Sequence, residues 1–302
     1  MSYANDLRDL VGNTPLLRLN KLGLPEEVRL LAKLELFNPG GSVKDRIGLS
    51  MIAAAEKDGR LVPGGAIVEA TAGNTGIGLA LAAIGKGYRV VFAVPEKFSA
   101  EKATLMRALG AEIVRTPEAE GMTGARKKAT ELIASIPGAI SVDQFENPAN
   151  PQIHYETTGP EILRDSGGRI DYLVAGAGSG GTFSGVLRYL KERLPNIKGI
   201  LADPVGSTMG GGECGPYAIE GIGNSFIPGT MNMKLVDEVI KVTDEEALTA
   251  ARLLAAKEGV IAGFSSGAAL SAALAVARRI GAGSIVTIFP DRGDRYFSKN
   301  LY

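Results

Sequence analysis

Residues 66–94 read AIVEATAGNTGIGLALAAIGKGYRVVFAV. Ala66–Ala70 is a short apolar run with the length and make-up of a buried strand. The turn Thr71-Ala72-Gly73 interrupts it, and Asn74 to Gly85 then reads as a helix with glycine at its end. Arg89–Val94 is the next strand. A strand, a tight glycine turn, a helix and a second strand make a βαβ unit, so the two strands run parallel beneath a covering helix.

The alternation extends in both directions. Upstream, Arg29–Glu35 reads as a strand and Ser42 to Lys57 as a helix. Downstream come a helix capped by Ser99 and ending near Leu109, a strand at Glu112–Arg115, a helix from Thr123 to Ser135 and a strand at Ala139–Val142. The polar, Pro-rich stretch Glu146 to Pro151 marks the predicted domain junction. A second series follows: helix Tyr155–Asp165, strand Tyr172–Ala175, helix Gly181–Leu194 and strand Lys198–Ala202. Gly206 to Gly229 is a Gly-rich functional loop. Thr243 and Glu246 form a capping box for a helix ending near Gly259, and Ser284–Phe289 is the closing strand. The pattern predicts an α/β protein of two doubly wound halves, with a ligand in the cleft between them at the carboxyl ends of the strands.

Composition removes several function classes. Lys and Arg total 33, as do Asp and Glu, so the 302-residue chain has no formal charge. Nucleic-acid binding needs a basic surface, which this balance does not supply. With 45 % hydrophobic residues the chain is globular, and its 40 glycines serve tight turns and close approach to a ligand. The lone Cys214 and lone His154 exclude an internal disulfide and a multi-cysteine metal site. Met1 to Asp9 has no apolar signal segment, so the expected location is the cytoplasm. Gly259 to Ala277 is uncharged and of bilayer length. Ser265, Ser266, Gly267 and Ser271, with Ala rather than Leu dominant, make it a buried strand, turn and helix rather than a membrane span.

Three Gly-rich turns lie between a strand and a helix. Thr71–Gly76 offers backbone N–H groups to an anion such as a carboxylate. Gly176-Ala177-Gly178-Ser179-Gly180-Gly181-Thr182 adds hydroxyls and suits a phosphate. The third is Gly263-Phe264-Ser265-Ser266-Gly267. Gly176, Gly178 and Gly181 also fit G-x-G-x-x-G, with Asp203 ending the following strand, so an NAD(P)-binding oxidoreductase is an alternative from another class. That fingerprint ideally opens the first βα unit, whereas this turn comes midway, and Ser179 and Thr182 suit a monophosphate. The most pointed segment is Asn38-Pro39-Gly40-Gly41-Ser42-Val43-Lys44-Asp45-Arg46. Lys44 falls in the first turn of a helix, where the macrodipole disfavours a cation and favours the free, nucleophilic amine. The plainer reading is a solvated lysine paired with Asp45 or another acid. His154 reads as a packing or helix-start residue and Cys214 as incidental.

Together the segments resemble the fold-type-II pyridoxal-phosphate enzymes of cysteine biosynthesis, cysteine synthase and the catalytic core of cystathionine β-synthase. The likeness runs from Gly12-Asn13-Thr14-Pro15-Leu16 to Pro290. It includes Asn38–Arg46, Gly73-Asn74-Thr75-Gly76, Gln144-Phe145-Glu146-Asn147-Pro148, Thr157-Thr158-Gly159-Pro160-Glu161, Gly178–Thr182 and Glu220-Gly221-Ile222-Gly223. The resemblance implies one α/β domain over residues 35–148, carrying the lysine and the carboxylate loop, and a second over 149–302 together with residues 8–34, which cross over to it, carrying the phosphate loop. It implies that Lys44 forms a Schiff base with pyridoxal 5'-phosphate, whose phosphate rests on Gly178, Ser179, Gly180, Gly181 and Thr182. Asn74 would meet the ring oxygen and Ser265 the pyridine nitrogen. Thr71, Ala72, Gly73, Asn74 and Thr75, with Gln144, would take the substrate carboxylate, and Gly221 and Ile222 would line the amino-acid site. Ala72 stands where many relatives have Ser, which removes one hydroxyl from that loop. Glu96–Ser99, Arg107–Val114 and Glu220–Pro228 are more similar to short bacterial cystathionine β-synthases that use O-acetylserine. The implied reaction is β-replacement through an aminoacrylate with homocysteine as the thiol, and cysteine synthesis from sulfide is the runner-up. The resemblance further implies a homodimer without haem.

Overall fold

The computed structural model describes residues 3–96 and 100–302. Among these residues the strands form two sheets. The larger contains β1 (Leu16–Arg18), β2 (Val28–Leu34), β7 (Tyr172–Gly176), β8 (Lys198–Pro204), β9 (Glu238–Val242) and β10 (Gly283–Phe289), in the order β1-β2-β10-β7-β8-β9. β1 is antiparallel to β2, and the other pairings are parallel. The smaller sheet is wholly parallel and contains β3 (Ala66–Ala70), β4 (Arg89–Pro95), β5 (Glu112–Thr116) and β6 (Ala139–Ile140), in the order β5-β4-β3-β6. This is the expected α/β, doubly wound class. β10, last in sequence, lies between β2 and β7, so strands from both ends of the chain converge where a ligand site forms in such sheets.

The βαβ unit at residues 66–94 folds as read, with α2 spanning Asn74–Ala83 between β3 and β4. The helix at Ser42 to Lys57 becomes α1 (Lys44–Lys57), which starts on the lysine itself. α3 (Ala100–Ala108) and α4 (Gly121–Ser135) follow, and the proposed Ser99 cap lies outside the described residues. One helix limit needs correcting: α5 (Ala149–Ile153) begins inside the stretch Glu146 to Pro151, ahead of the helix start expected at Tyr155. α5 continues through a π-helical turn at His154–Thr158 into α6 (Gly159–Asp165). Pro151 falls in the first turn of α5, where a missing N–H costs nothing.

α7 (Gly181–Lys191), α8 (Asp244–Glu258) and α9 (Phe264–Ile280) complete the helices named here. Thr243 and Glu246 form the expected capping box on α8, and Gly259 closes it in the left-handed conformation. The Ala-rich segment is α9, buried in the core of the larger sheet, and its strand shrinks to a single bridge between Ala262 and Arg292. No helix among the described residues is long and apolar enough to cross a membrane.

Two contacts fix the start of α1. A Cβ on Gly48 would run into the Gly78 carbonyl, and one on Gly78 into the Lys44 carbonyl, so α1 and α2 cross backbone to backbone. Beneath them lies a buried ionic cluster. Arg46 Nε and Nη2 donate to Glu35 at 2.8 Å each, while Nη1 and Nη2 reach Glu161 at 2.8 and 2.7 Å. Lys33, fully buried on β2, pairs with Glu161 at 2.7 Å and donates to the Thr14 carbonyl at 2.6 Å. Burial opposes ionisation of Glu35, but the charge and hydrogen bonds of Arg46 outweigh it and hold the carboxyl at about 2.

Removing the guanidinium strands the buried Glu35 carboxylate and leaves Glu161 to Lys33, so Arg46→Met is expected to lower the unfolding free energy by about 3–5 kcal/mol in chemical denaturation. The pH dependence has a definite sign. The folded pKa of Glu35 lies below its unfolded value of roughly 4.3, so its stabilisation is complete above that value. It is lost as pH falls toward about 2. Acid titration of wild type should show this limb and Arg46→Met should flatten it; parallel acid limbs would contradict the cluster's role.

Candidate active site

The second glycine turn leaves β7 at Gly176 and enters α7 at Gly181, with Gly180 as the N-cap at φ +85°. A side chain there would be strained and would strike Met231, so only glycine serves. The first N–H groups of α7 have no partner within the helix and face the site as anion donors. The loop is braced from behind. Asn150 Nδ2 donates to Ser179 Oγ at 2.9 Å, Asn224 Nδ2 to the Gly178 carbonyl at 2.6 Å and Thr230 Oγ1 to the Ser179 carbonyl at 2.5 Å. His154 lies on the π-helical turn, with Nε2 3.1 Å from Thr182 Oγ1 and Nδ1 2.9 Å from Thr158 Oγ1. Burial, then the nearby Arg46, drives its pKa down to about 3, so the ring is neutral.

One pocket joins this loop to Lys44, Gly221, Ile222 and Pro290. Lys44 is exposed only in part, to the cleft, and the surrounding protein pushes its ammonium below the ordinary lysine range. Burial is the main cause, and Asp291 and Glu35 pull weakly the other way. The direction agrees with the sequence reading, but burial rather than the helix start dominates. Asp45 is not its partner: it accepts the Gly40 N–H at 2.5 Å, and burial raises its carboxyl to about 7.

Asn74 opens α2 with its amide fixed on both sides. Its Nδ2 donates to Asp291 Oδ2 at 2.7 Å and its Oδ1 accepts from Arg295 Nη1 at 2.5 Å. One Nδ2 hydrogen therefore remains free. Ser265 lies buried in the first turn of α9, and a Cβ on Gly221 would stand 3.9 Å from its Oγ. No hydrogen bond holds that Oγ among the described residues. Thr75 Oγ1 donates to Gln144 Oε1 at 2.7 Å, and Thr71, Thr75 and Gln144 wall an adjacent cavity. Ala72 and Gly73 complete this loop, Ala72 packed on the core of the smaller sheet and Gly73 with open space around its Cα. The structure thus brings Lys44, Gly178, Ser179, Gly180, Thr182, Gly221 and Ile222 into one pocket, with Gly181 backed against Asn150, sets Ser265 beside it, and places Thr71, Thr75 and Gln144 in the next cavity.

Sequence reasoning missed Asp291, Arg295, Asn150 and Thr230. Asp291 had a usable signal, since it lies two residues beyond β10, at the carboxyl end of a parallel strand. Glu220 and Asn224, in the Gly-rich loop 206–229, are both engaged. Glu220 pairs with Lys102 at 2.7 Å and Lys299 at 3.4 Å, and Asn224 holds the Gly178 carbonyl. Asp203, the residue the nicotinamide alternative requires, is occupied by Lys241 at 2.6 Å and the Gly210 N–H at 3.0 Å.

The donor set suits pyridoxal phosphate: an amine biased toward its free form, unpaired amides at the start of α7 beside the Ser179 and Thr182 hydroxyls, and an unpartnered Ser265 hydroxyl. Comparison with known proteins agrees. The family described as "Pyridoxal-phosphate dependent enzyme" matches residues 7–291. The chain is 50 % identical to the O-acetylserine dependent cystathionine beta-synthase of Bacillus subtilis, covering 100 % of this chain and 99 % of that one. It is 47 % identical to the cysteine synthase of Staphylococcus aureus, over 99 % of this chain and 97 % of the other. The crystal structure of O-acetylserine dependent cystathionine beta-synthase from Helicobacter pylori superposes with a TM-score of 0.94 at 48 % identity, covering 100 % of both chains. With its lysine, its glycine loop and this match over nearly its whole length, the chain belongs to the pyridoxal-phosphate dependent enzymes.

Proposed function

We propose that the protein catalyses β-replacement on O-acetylserine: acetate leaves the β-carbon, the thiol of homocysteine takes its place, and the products are cystathionine and acetate. The observation that carries this reading is the meeting, in one pocket, of Lys44 with the loop Gly178–Thr182. The donor and acceptor follow the names of the Bacillus subtilis and Helicobacter pylori proteins, at 50 % and 48 % identity.

When bound, pyridoxal phosphate supplies an electron sink conjugated to the donor's α-carbon. Lys44 Nζ anchors it at rest. Once freed by the incoming amino acid, the same Nζ takes the α-proton and returns it at the end, a task that needs the neutral amine burial favours. The amides of Gly180 and Gly181 and the hydroxyls of Ser179 and Thr182 hold the phosphate, with neutral His154 fixing the Thr182 hydroxyl from behind. Ser265 Oγ would offer the ring nitrogen an uncharged hydrogen-bond partner, which would keep the electron sink moderate. The free Nδ2 hydrogen of Asn74 serves the ring oxygen. Thr71 to Thr75 and Gln144 hold the donor carboxylate through backbone N–H groups, the Thr71 hydroxyl and the Gln144 amide N–H, which Thr75 orients by donating to Gln144 Oε1, Ala72 offering no hydroxyl, while Gly221 and Ile222 wall the amino-acid site.

A second reading, cysteine synthesis from sulfide, is favoured by the Staphylococcus aureus relative at 47 % identity. In either case the enzyme works as a cytoplasmic homodimer without haem. The exposed Leu7, Leu10 and Ile84 offer apolar surface to a subunit contact.

Lys44→Ala is expected to abolish the visible absorption of the lysine-bound cofactor and to lower turnover at least about a hundredfold. A yellow, active variant would place the anchoring amine elsewhere. The acceptor is tested by competing homocysteine and sulfide at equal concentration with O-acetylserine and weighing the two products. Cystathionine should dominate, and a mixture made mostly of cysteine selects the second reading.

A further inference from the structure

Beside the donor loop lies a cavity of about 350 Å³, within the roughly 300–1,000 Å³ range of small-molecule sites. It shares Thr71, Thr75 and Gln144 with the loop proposed for the donor carboxylate, so a molecule inside it would stand next to the donor. Its far wall joins three elements: Arg126 from α4, Phe145 from the segment after β6, and Phe226 from the loop at 206–229. The two phenyl rings lie 5.7 Å apart, and the Arg126 guanidinium carbon stands 5.7 and 5.9 Å from their centroids. Contact with the rings steadies a guanidinium through its faces and leaves its N–H edges available. Among the described residues the Arg126 side chain has neither an ion pair nor a hydrogen bond. The same cavity is also lined by Glu69, Asp143 and Glu146, the last accepting the Gly229 N–H at 3.3 Å. Glu69 is largely satisfied, accepting the Ser141 hydroxyl and the Val142 and Asp143 N–H groups at 2.7, 2.6 and 2.9 Å. Asp143 accepts only the Phe145 N–H, at 3.0 Å.

We propose that this cavity is the acceptor subsite and that Arg126 binds the carboxylate of a thiol-bearing amino acid, with Asp143 and Glu146 facing its ammonium group. The inference rests on homocysteine as the acceptor and adds the residue that selects it. A zwitterion matches a wall carrying both signs of charge. Hydrosulfide, a small anion, gains nothing from the carboxylates and has no second group to place. A bidentate carboxylate contact is also the geometry to which a guanidinium is best suited.

The test uses the holoenzyme, O-acetylserine and two acceptors: homocysteine and 3-mercaptopropylamine, which is homocysteine without its carboxylate. Arg126→Met keeps the apolar stem between the rings. It is expected to raise KM for homocysteine about tenfold, the scale of one lost charged hydrogen-bond pair. KM for 3-mercaptopropylamine and for O-acetylserine should stay within about twofold, and Arg126→Lys should recover part of the homocysteine loss. An equal rise for both acceptors, or none for either, overturns the assignment of Arg126 while leaving cystathionine synthesis in place. A wild-type enzyme that forms no cystathionine overturns the acceptor reading itself, and that failure is visible before any substitution is made.

Discussion

Everything at the site hangs from Arg46. Its guanidinium is buried between Glu35, just after β2, and Glu161 on α6, and it lies two residues beyond Lys44 on α1. Five N–H donors in a rigid plane can grip two carboxylates at once, which an ammonium cannot do. The grip ties the start of α1 to the larger sheet, while the Gly48–Gly78 crossing ties it to α2 of the smaller one. Lys44 is therefore held from both sides of the cleft, and its position follows from the packing of the whole molecule rather than from its own turn.

The same logic explains why the polar groups around the pocket are doubly committed. Asn74 cannot rotate because Asp291 and Arg295 hold its two amide ends, and Asp291 also accepts the Tyr296 hydroxyl at 2.6 Å. Thr182 is oriented by a histidine that burial keeps neutral, so the charge near the phosphate loop does not change over ordinary pH. Asn74 and Thr182 thus have buried partners that fix their directions beforehand, so little ordering of these two groups remains to be done on binding.

Most of this architecture was legible in the sequence because it is local. Apolar runs of five to seven residues punctuated by glycine reveal central parallel strands, and β3, β4, β7 and β10 lie within a residue or so of their expected limits. β1 and β9 went unseen: both lie at sheet edges, one only three residues long and the other a half-exposed alternation. The π-helical turn at His154 was invisible because its residues read like any helix. Lys44 and the glycine turns announced themselves by residue type and position, although the resemblance rather than spacing supplied their roles. Asp291 and Arg295 act on Asn74 across 217 and 221 residues, and no local pattern encodes a contact of that span.

The floor and the mouth of the cleft are under different constraints. Floor residues are buried and bonded to one another, so a change in one leaves another polar group unsatisfied and costs stability as well as function. Arg126 is exposed on the outer side of α4, and the Phe226 ring it meets belongs to an irregular loop and is itself exposed. Substitutions at such positions change folding stability little. Acceptor preference can therefore diverge while the lysine, the phosphate loop and the donor loop stay fixed. That separation accounts for a chain standing almost equally near two relatives with different names, at 50 % and 47 % identity. Overall similarity reports mostly on the core and floor they share, whereas, in the assignment proposed above, the choice between a bare sulfide and an amino-acid thiol falls to a few side chains at the rim.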